Sequence, residues 1–571
     1  MQTRKIFAMP LLLAALCIGA TSASAMTAPA DSLSKAKQAA ALTHQYVKFL
    51  RQTATNQVKP VAAKQADHAS ITRDSATVDM TKYANVDGTS GAQKKAKKKT
   101  GSFQDEFDDF LNEAKQEFED FRQQCNAEFA KFLREAWEEF HGKEPIPEPE
   151  VIKPVPAVEA PQPNAIWPFK SRKHKAKAVK DYVPDKQPEP VKPVEVVADK
   201  EVWFDFGYCG TPFKVRIDER HRLFIPQQWN ENNIADLWEH CSGNLFNNVL
   251  HDCLDLRAKN RMCDWAYLKM LEQLGEQFCG QGTNEAVFLT AFLYCQSGYK
   301  MRFGRSRDGH LHLLYATKSI IYDQPYFTLD NTNFYPLTGK AADMCITRAN
   351  FNNSSGMDLY MSAEQVLAQK RSEPRVIKSR DYPDLQVTVN TNINQLAFYD
   401  TYPSSYVGGN VMTRWAMYAN TPLEDEIKHQ VYPTLKEKLA GKSELEQVKM
   451  LLNLVQYGLE YKYDDEVWGH DRAFFAEESL FYPYCDCEDR AILFTRLVRD
   501  LVGLDAILVF YPGHLASAIS FNDKSAKGDY IETDDGRQFY ICDPTYLGSW
   551  PGMTMPQMNN GDAQYILLKR G

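Results

Sequence analysis

Beyond its first residues, this 571-residue chain lacks any apolar run long enough to cross a membrane, so a buried polytopic protein is excluded. It lacks a basic surplus: 66 Lys and Arg stand against 74 Asp and Glu, a formal charge of -8. A general nucleic-acid binder needs a basic face, and this balance argues against one. It also lacks a disulfide framework. The 12 cysteines show no regular spacing, and setting aside Cys17 in the leader leaves an odd number, so at least one thiol is unpaired. No second pair stands at zinc-like distance from Cys485 and Cys487, so neither a metal nor a cofactor is expected.

The amino terminus has the order of an export signal. Arg4 and Lys5 precede the apolar run Ile6 to Ala20, and Ala23-Ser24-Ala25 offers a small-residue cleavage site. Residues 1–25 are therefore read as a signal peptide, and the mature chain as periplasmic or secreted. Leu16 before Cys17 disfavours a lipid anchor. Residues 26–101 read as a disordered, basic segment with a helix over Ser32–Arg51 and a solvated run at Lys94–Lys99.

From Ser102 an aromatic stripe begins: Phe103, Phe107, Phe110, Ala114, Phe118, Phe121, Cys125, Phe129, Phe132, Ala136 and Phe140, three or four residues apart. It predicts one amphipathic helix over residues 102–142, about 57 Å long at 1.5 Å per residue. Such a stripe has to be covered, by self-association, another helix or a protein partner. Residues 143–200 alternate proline with Glu, Val and Lys and read as an extended spacer that cannot form a core. Two globular blocks follow, 201–370 and 380–571, giving an α+β fold class.

The second block carries the chemistry. Cys487 opens a helical pattern (Ile492, Leu493, Leu497, Val498, Leu501) that ends at Gly503. A helix start favours a thiolate and supplies N–H groups for an oxyanion. His514 follows Pro512-Gly513 between two strand patterns, and Asp543 closes the last strand pattern before Pro544-Thr545. Cys485 is the rival nucleophile. Trp468 and Tyr484 are each either packing residues or an oxyanion donor.

Cys487-Glu488-Asp489-Arg490-Ala491, Gly513-His514 and Asp543-Pro544-Thr545 resemble, in order and context, the three motifs of the transglutaminase-like superfamily, a branch of the papain-like fold. The likeness covers residues 445–568, with Cys485 where that family commonly has glycine. The chain also resembles secreted Bacteroidetes proteins with the same helix, proline spacer and Cys-Asp-Cys-Glu-Asp-Arg run. The resemblance implies Cys487 as nucleophile, His514 as base and Asp543 as orienter, acting on peptide or amide bonds by hydrolysis or transfer to an amine. Hydrolysis is preferred, because nothing marks a second amine site. The alternatives are a catalytically silent peptide- or protein-binding envelope protein, or a scaffold worked by its helix.

The first block echoes the second. Aligning Gly298 with Gly503 puts Ala286 on Ala491 and Thr290 on Thr495, but Gly282 on Cys487. Gly309-His310-Leu311 echoes Gly513-His514-Leu515, and Asp330-Asn331-Thr332 echoes Asp543-Pro544-Thr545. The reading is two tandem papain-like domains, the first without its nucleophile.

Overall fold

A computed structural model describes residues 103–148, 155–161, 171–184, 202–224, 228–338, 343–348, 350–558 and 562–569. The signal peptide, the Ser32–Arg51 helix, the Lys94–Lys99 run and most of the proline tracts lie outside them. The chain divides at Gln124 into two units. In the first, the described part is the start of the helix Phe103–Leu133; the second, from Cys125 onward, is an α+β structure with two main sheets.

The long helix stops at Leu133, a full turn and more before Phe140. Trp137 turns back and donates its indole N–H to Leu133 O at 3.1 Å. Its ring stacks on Phe303 at 6.3 Å between centroids. Glu138–Phe140 then becomes a strand, antiparallel to Met344–Ile346 at a sheet edge. A sheet edge with unpaired backbone groups outcompeted continuation of the helix, which the aromatic spacing alone could not foresee. The stripe shifts accordingly: Cys125, Phe129, Ala130 and Leu133 are buried, while Phe132 is 47% exposed. Buried Asn126 joins Trp238 and Gln296 in a polar network.

The first sheet is antiparallel, built on the hairpin Met301–Ser306 and Leu311–Thr317. The second has seven strands, in the order Arg172–His174, Asp529–Glu532, Gln538–Cys542, His514–Ser520, Asp505–Tyr511, Ala563–Leu567, Ala176–Val179. Both of its edges are therefore closed by the proline spacer. Arg172–His174 pairs with Asp529–Glu532, and Ala176–Val179 with Ala563–Leu567, each in parallel. The expectation of a spacer without a core role is corrected here. Two short non-proline stretches inside it supply backbone donors and acceptors to edges that would otherwise be open.

Strand alternation sends side chains to two cores. Ile507, Val509, Tyr511, Ala516 and Ala518 fill one face of this sheet. Ala506, Leu508, Leu515 and Ile519 fill the other, together with Ala491, Ile492, Phe494 and Val498 of the helix Cys487–Leu501. That second core is continuous from Phe129 to Leu568 and takes in side chains from both globular blocks.

Candidate functional site

The Cys487–Leu501 helix is buried at every position from Cys487 to Arg499. A helix with this many charges survives burial only if each is satisfied. Arg490 donates to the carbonyls of Gln456, Leu459 and Pro544. Arg496 pairs with Asp500, and Arg499 reaches Lys569 O and Asn420 Oδ1. At the helix start Asp489 accepts the N–H groups of Phe474, at 2.8 Å, and Asp486, at 3.2 Å. Asp489 thus fastens the loop before the helix to its first turn. Gly503, at φ +76°, ends the helix with its N–H on Val498 O.

His514 sits where Pro512-Gly513 turns the hairpin between Asp505–Tyr511 and His514–Ser520. Gly513 has φ +81°, which a two-residue turn of this kind requires. The imidazole is fully buried and its Nε2 lies 2.8 Å from Asp543 Oδ2. A carboxylate only accepts, so Nε2 carries the proton of this bond, and Nδ1 is the ring nitrogen left over. That Nδ1 is buried without a hydrogen-bond partner. Asp543 is held in turn: Oδ1 accepts the Thr545 N–H at 2.9 Å, and Gln456 binds the loop through Tyr546 O at 2.8 Å and Ser549 Oγ at 3.1 Å.

Cys487 is 3% exposed. Its thiolate form is favoured by the main-chain N–H of Leu515, the residue after His514. Its S–H points to Glu488 Oε2 at 3.1 Å. The expectation that a helix start would ionise this thiol meets an opposing environment. Burial, then the carboxylates of Glu488 and Asp486, push the thiol well above its ordinary value, and the Leu515 N–H only partly offsets them. Cys485 is elsewhere. It lies in a strand parallel to Glu460–Tyr461, with its thiol on Glu460 O at 3.8 Å, and burial pushes it up to about 11. Trp468 packs edge-on against Phe474 and Tyr482, and Tyr484 lies under Lys462, so both are engaged in packing.

Three features were not found by sequence reasoning. Tyr461 stands near the thiol; burial first, then Cys487, Asp486 and Glu488, push its hydroxyl upward. Its OH donates to Val155 O at 2.8 Å. The spacer stretch 155–161 crosses here: Val155 N–H reaches Gly513 O at 3.2 Å, Val158 and Glu159 pair in parallel with Tyr546 and Leu547, and Ala160 N–H bonds Leu547 O at 2.7 Å. The spacer therefore touches the residue before His514 and the strand just after Asp543. Third, Asp464, Asp471, Asp486, Glu488 and Asp489 converge beside the helix start. Burial, then Glu488, push Asp464 up to about 8. Asp486 and Asp489 are raised by the same burial and mutual repulsion. Carboxylates so placed offer hard oxygen ligands of the kind a divalent cation takes.

In the first block the echoed residues do not assemble. His310 is exposed and faces Asp308 at 3.7 Å. Asp330 lies in the turn between Phe327–Leu329 and Thr332–Pro336 and pairs with Arg302 at 2.8 Å. Gly282 lies in the turn before the helix rather than at its start. The helix Asn284–Gln296 opens instead on Asn284, whose Oδ1 accepts the Leu311 N–H at 2.9 Å. Asn284 thus stands at the first position of its helix, as Cys487 does. The helix is two residues shorter than its counterpart (13 against 15), which is why alignment from its carboxyl end misplaced the equivalent.

No family model, curated protein or solved structure shows significant similarity to the chain.

Proposed function

We propose that this is an exported cysteine-dependent acyl-transfer enzyme of transglutaminase-like, papain-like architecture, acting on peptide or amide bonds and hydrolytic in preference to cross-linking. One observation carries the reading: a fully buried His514 bonded to Asp543 at 2.8 Å, with its other nitrogen unpartnered and Cys487 opening the helix that packs against the His514 strand. Export rests on Arg4, Lys5, the Ile6–Ala20 run and Ala23-Ser24-Ala25.

In this reading the S–H turns from Glu488 to His514 Nδ1 and gives up its proton there. The sulfur attacks the carbonyl carbon, forming the C–S bond while the carbonyl electrons move to oxygen. His514 then protonates the leaving nitrogen as the C–N bond breaks. Water, deprotonated by the same nitrogen, releases the acyl group from sulfur. Asp543 holds the tautomer and stabilises the imidazolium. The two globular blocks are read as tandem papain-like domains, the first, with Asn284 at the nucleophile's place, serving to bind or to scaffold.

A second reading, a silent peptide-binding protein, is favoured by the thiol's carboxylate neighbours and by the spacer crossing the site. The test is incubation with a p-nitrophenyl acyl ester followed by intact-mass analysis. Release of p-nitrophenol with an acyl adduct on Cys487 in wild type, and neither in His514→Ala or Cys487→Ala, supports the enzyme. Absence of any adduct, with the same protein folded, supports the binding protein.

A further inference from the structure

We propose that the groove filled by residues 155–160 is a peptide-binding cleft, and that it takes an extended peptide whose glutamate or aspartate sits between Tyr457, Arg380 and Gly548. The spacer stretch is then a strap, the cleft's own displaceable occupant. The inference rests on the acyl-transfer reading only in calling that peptide a substrate.

Main-chain contacts carry the first half of the case. Val155 is held on both sides: its N–H donates to Gly513 O at 3.2 Å, and its carbonyl accepts the Tyr461 hydroxyl at 2.8 Å. Further along, Ala160 N–H donates to Leu547 O at 2.7 Å, beside the parallel pairs Val158–Tyr546 and Glu159–Leu547. Bonds to the main chain do not read sequence, so the same positions hold any extended peptide, which is recognition by strand addition. The side chains alternate as that mode requires. Val158 packs against the core that holds Ile507 and Val509, Ala160 is buried in it, and Glu159 between them is half exposed.

Glu159 supplies the second half. Its Oε2 accepts the Tyr457 hydroxyl at 3.0 Å, and its Oε1 lies 3.4 Å from the Arg380 guanidinium, which stacks over the Tyr457 ring at 3.7 Å from the centroid. Asp381 shares that guanidinium at 2.8 Å. Gly548 leaves the room: a Cβ there would lie 3.1 Å from the Tyr457 hydroxyl and 3.6 Å from Glu159 Oε2. A hydroxyl donor, a stacked guanidinium and a missing side chain together select a carboxylate at this position.

The strap is held loosely. Its ladder is two residues long and parallel, the weaker kind of pairing. Pro156 and Pro161 have no N–H to add to it. Because the chain tethers it, the strap still competes at an effective concentration of about millimolar, so an incoming peptide finds the cleft open for only part of the time.

The test is fluorescence anisotropy with a labelled peptide of residues 155–161, added to the full mature chain, with the folding of each variant checked by circular dichroism and melting. Val158→Asp combined with Glu159→Ala unseats the strap and should bind the peptide about tenfold more tightly than wild type. In that background Tyr457→Phe, or Glu159→Gln within the peptide, should each cost about fivefold. Arg380→Gln should cost less, because the guanidinium is 41% exposed and shared. If the double variant does not fold, Glu159→Ala alone should show the same order with a smaller gain. The proposal is overturned by equal affinity in wild type and a folded strap variant, by no saturable binding to that variant, or by equal binding of the Glu and Gln peptides. The p-nitrophenyl ester assay separates the two claims. Peptide binding without ester turnover upholds the cleft and sinks acyl transfer; ester turnover without peptide binding does the reverse.

Discussion

Asn126 offers a quantitative test of how the long helix is anchored. Its Oδ1 accepts from Trp238 Nε1 at 2.9 Å and from Gln296 Nε2 at 2.8 Å, while its Nδ2 donates to Gln296 Oε1 at 3.1 Å. All three residues are at most 1% exposed. Asn126→Leu nearly conserves volume but deletes these bonds. The Trp238 indole N–H is left buried and unpaired, at a cost of about 1–3 kcal/mol, and each lost amide bond adds about 1 kcal/mol. A loss of about 3 kcal/mol is therefore expected in urea unfolding followed by tryptophan fluorescence and circular dichroism. Gln296→Leu alone keeps the Trp238 bond and should lose about 1–2 kcal/mol. Because both single changes remove the same Asn126–Gln296 bonds, the double variant should be more stable than the sum predicts by about 1 kcal/mol. A loss below about 0.5 kcal/mol for Asn126→Leu, or strict additivity, would refute the network as an anchor.

Two further outcomes follow from the described contacts. Val155→Pro removes the N–H that reaches Gly513 O. It should speed alkylation of Cys487 by a bulky maleimide several-fold more than by iodoacetamide; equal acceleration, or none, means the spacer does not cover the thiol. Glu477 is pushed up to about 8 by burial, then by neighbouring Glu424. A carboxyl that holds its proton more tightly folded than unfolded makes stability fall as pH rises from its unfolded value through about 8. Glu477→Gln should flatten that fall between pH 5 and 8 in melting experiments, whereas an unchanged slope would place the titration elsewhere.

Much of the second block was legible because its signals are local. Gly503 and Gly513 need positive φ, the Ala506–Tyr511 run alternates between two cores, and Cys487, His514 and Asp543 each sit at an element boundary that a short pattern marks. The spacer was not legible in the same way. Arg172–His174 and Ala176–Val179 have no strand pattern of their own, and they are ordered by sheet edges supplied more than three hundred residues later. The end of the long helix was hidden for a related reason, since Phe140 keeps the helical period but pairs with Met344 in a sheet. Asn284 was missed because a two-residue difference in helix length shifts the alignment between its ends. Tyr461 and Asp464 carry no motif; only the fold brings them to Cys487. The electrostatics were the least accessible, because the helix start that favours a thiolate also gathers the carboxylates that oppose it.

The central claim is that Cys487 and His514 act as one nucleophile. Its most direct test is intact-mass alkylation of the folded mature chain with iodoacetamide from pH 5 to 9, for wild type, Cys487→Ala and His514→Ala. The account predicts labelling at Cys487 that persists at low pH in wild type and collapses in His514→Ala, the mark of a thiolate held by an imidazolium. Labelling that rises only at alkaline pH, and is indifferent to His514→Ala, would contradict it and leave a buried thiol held by Glu488.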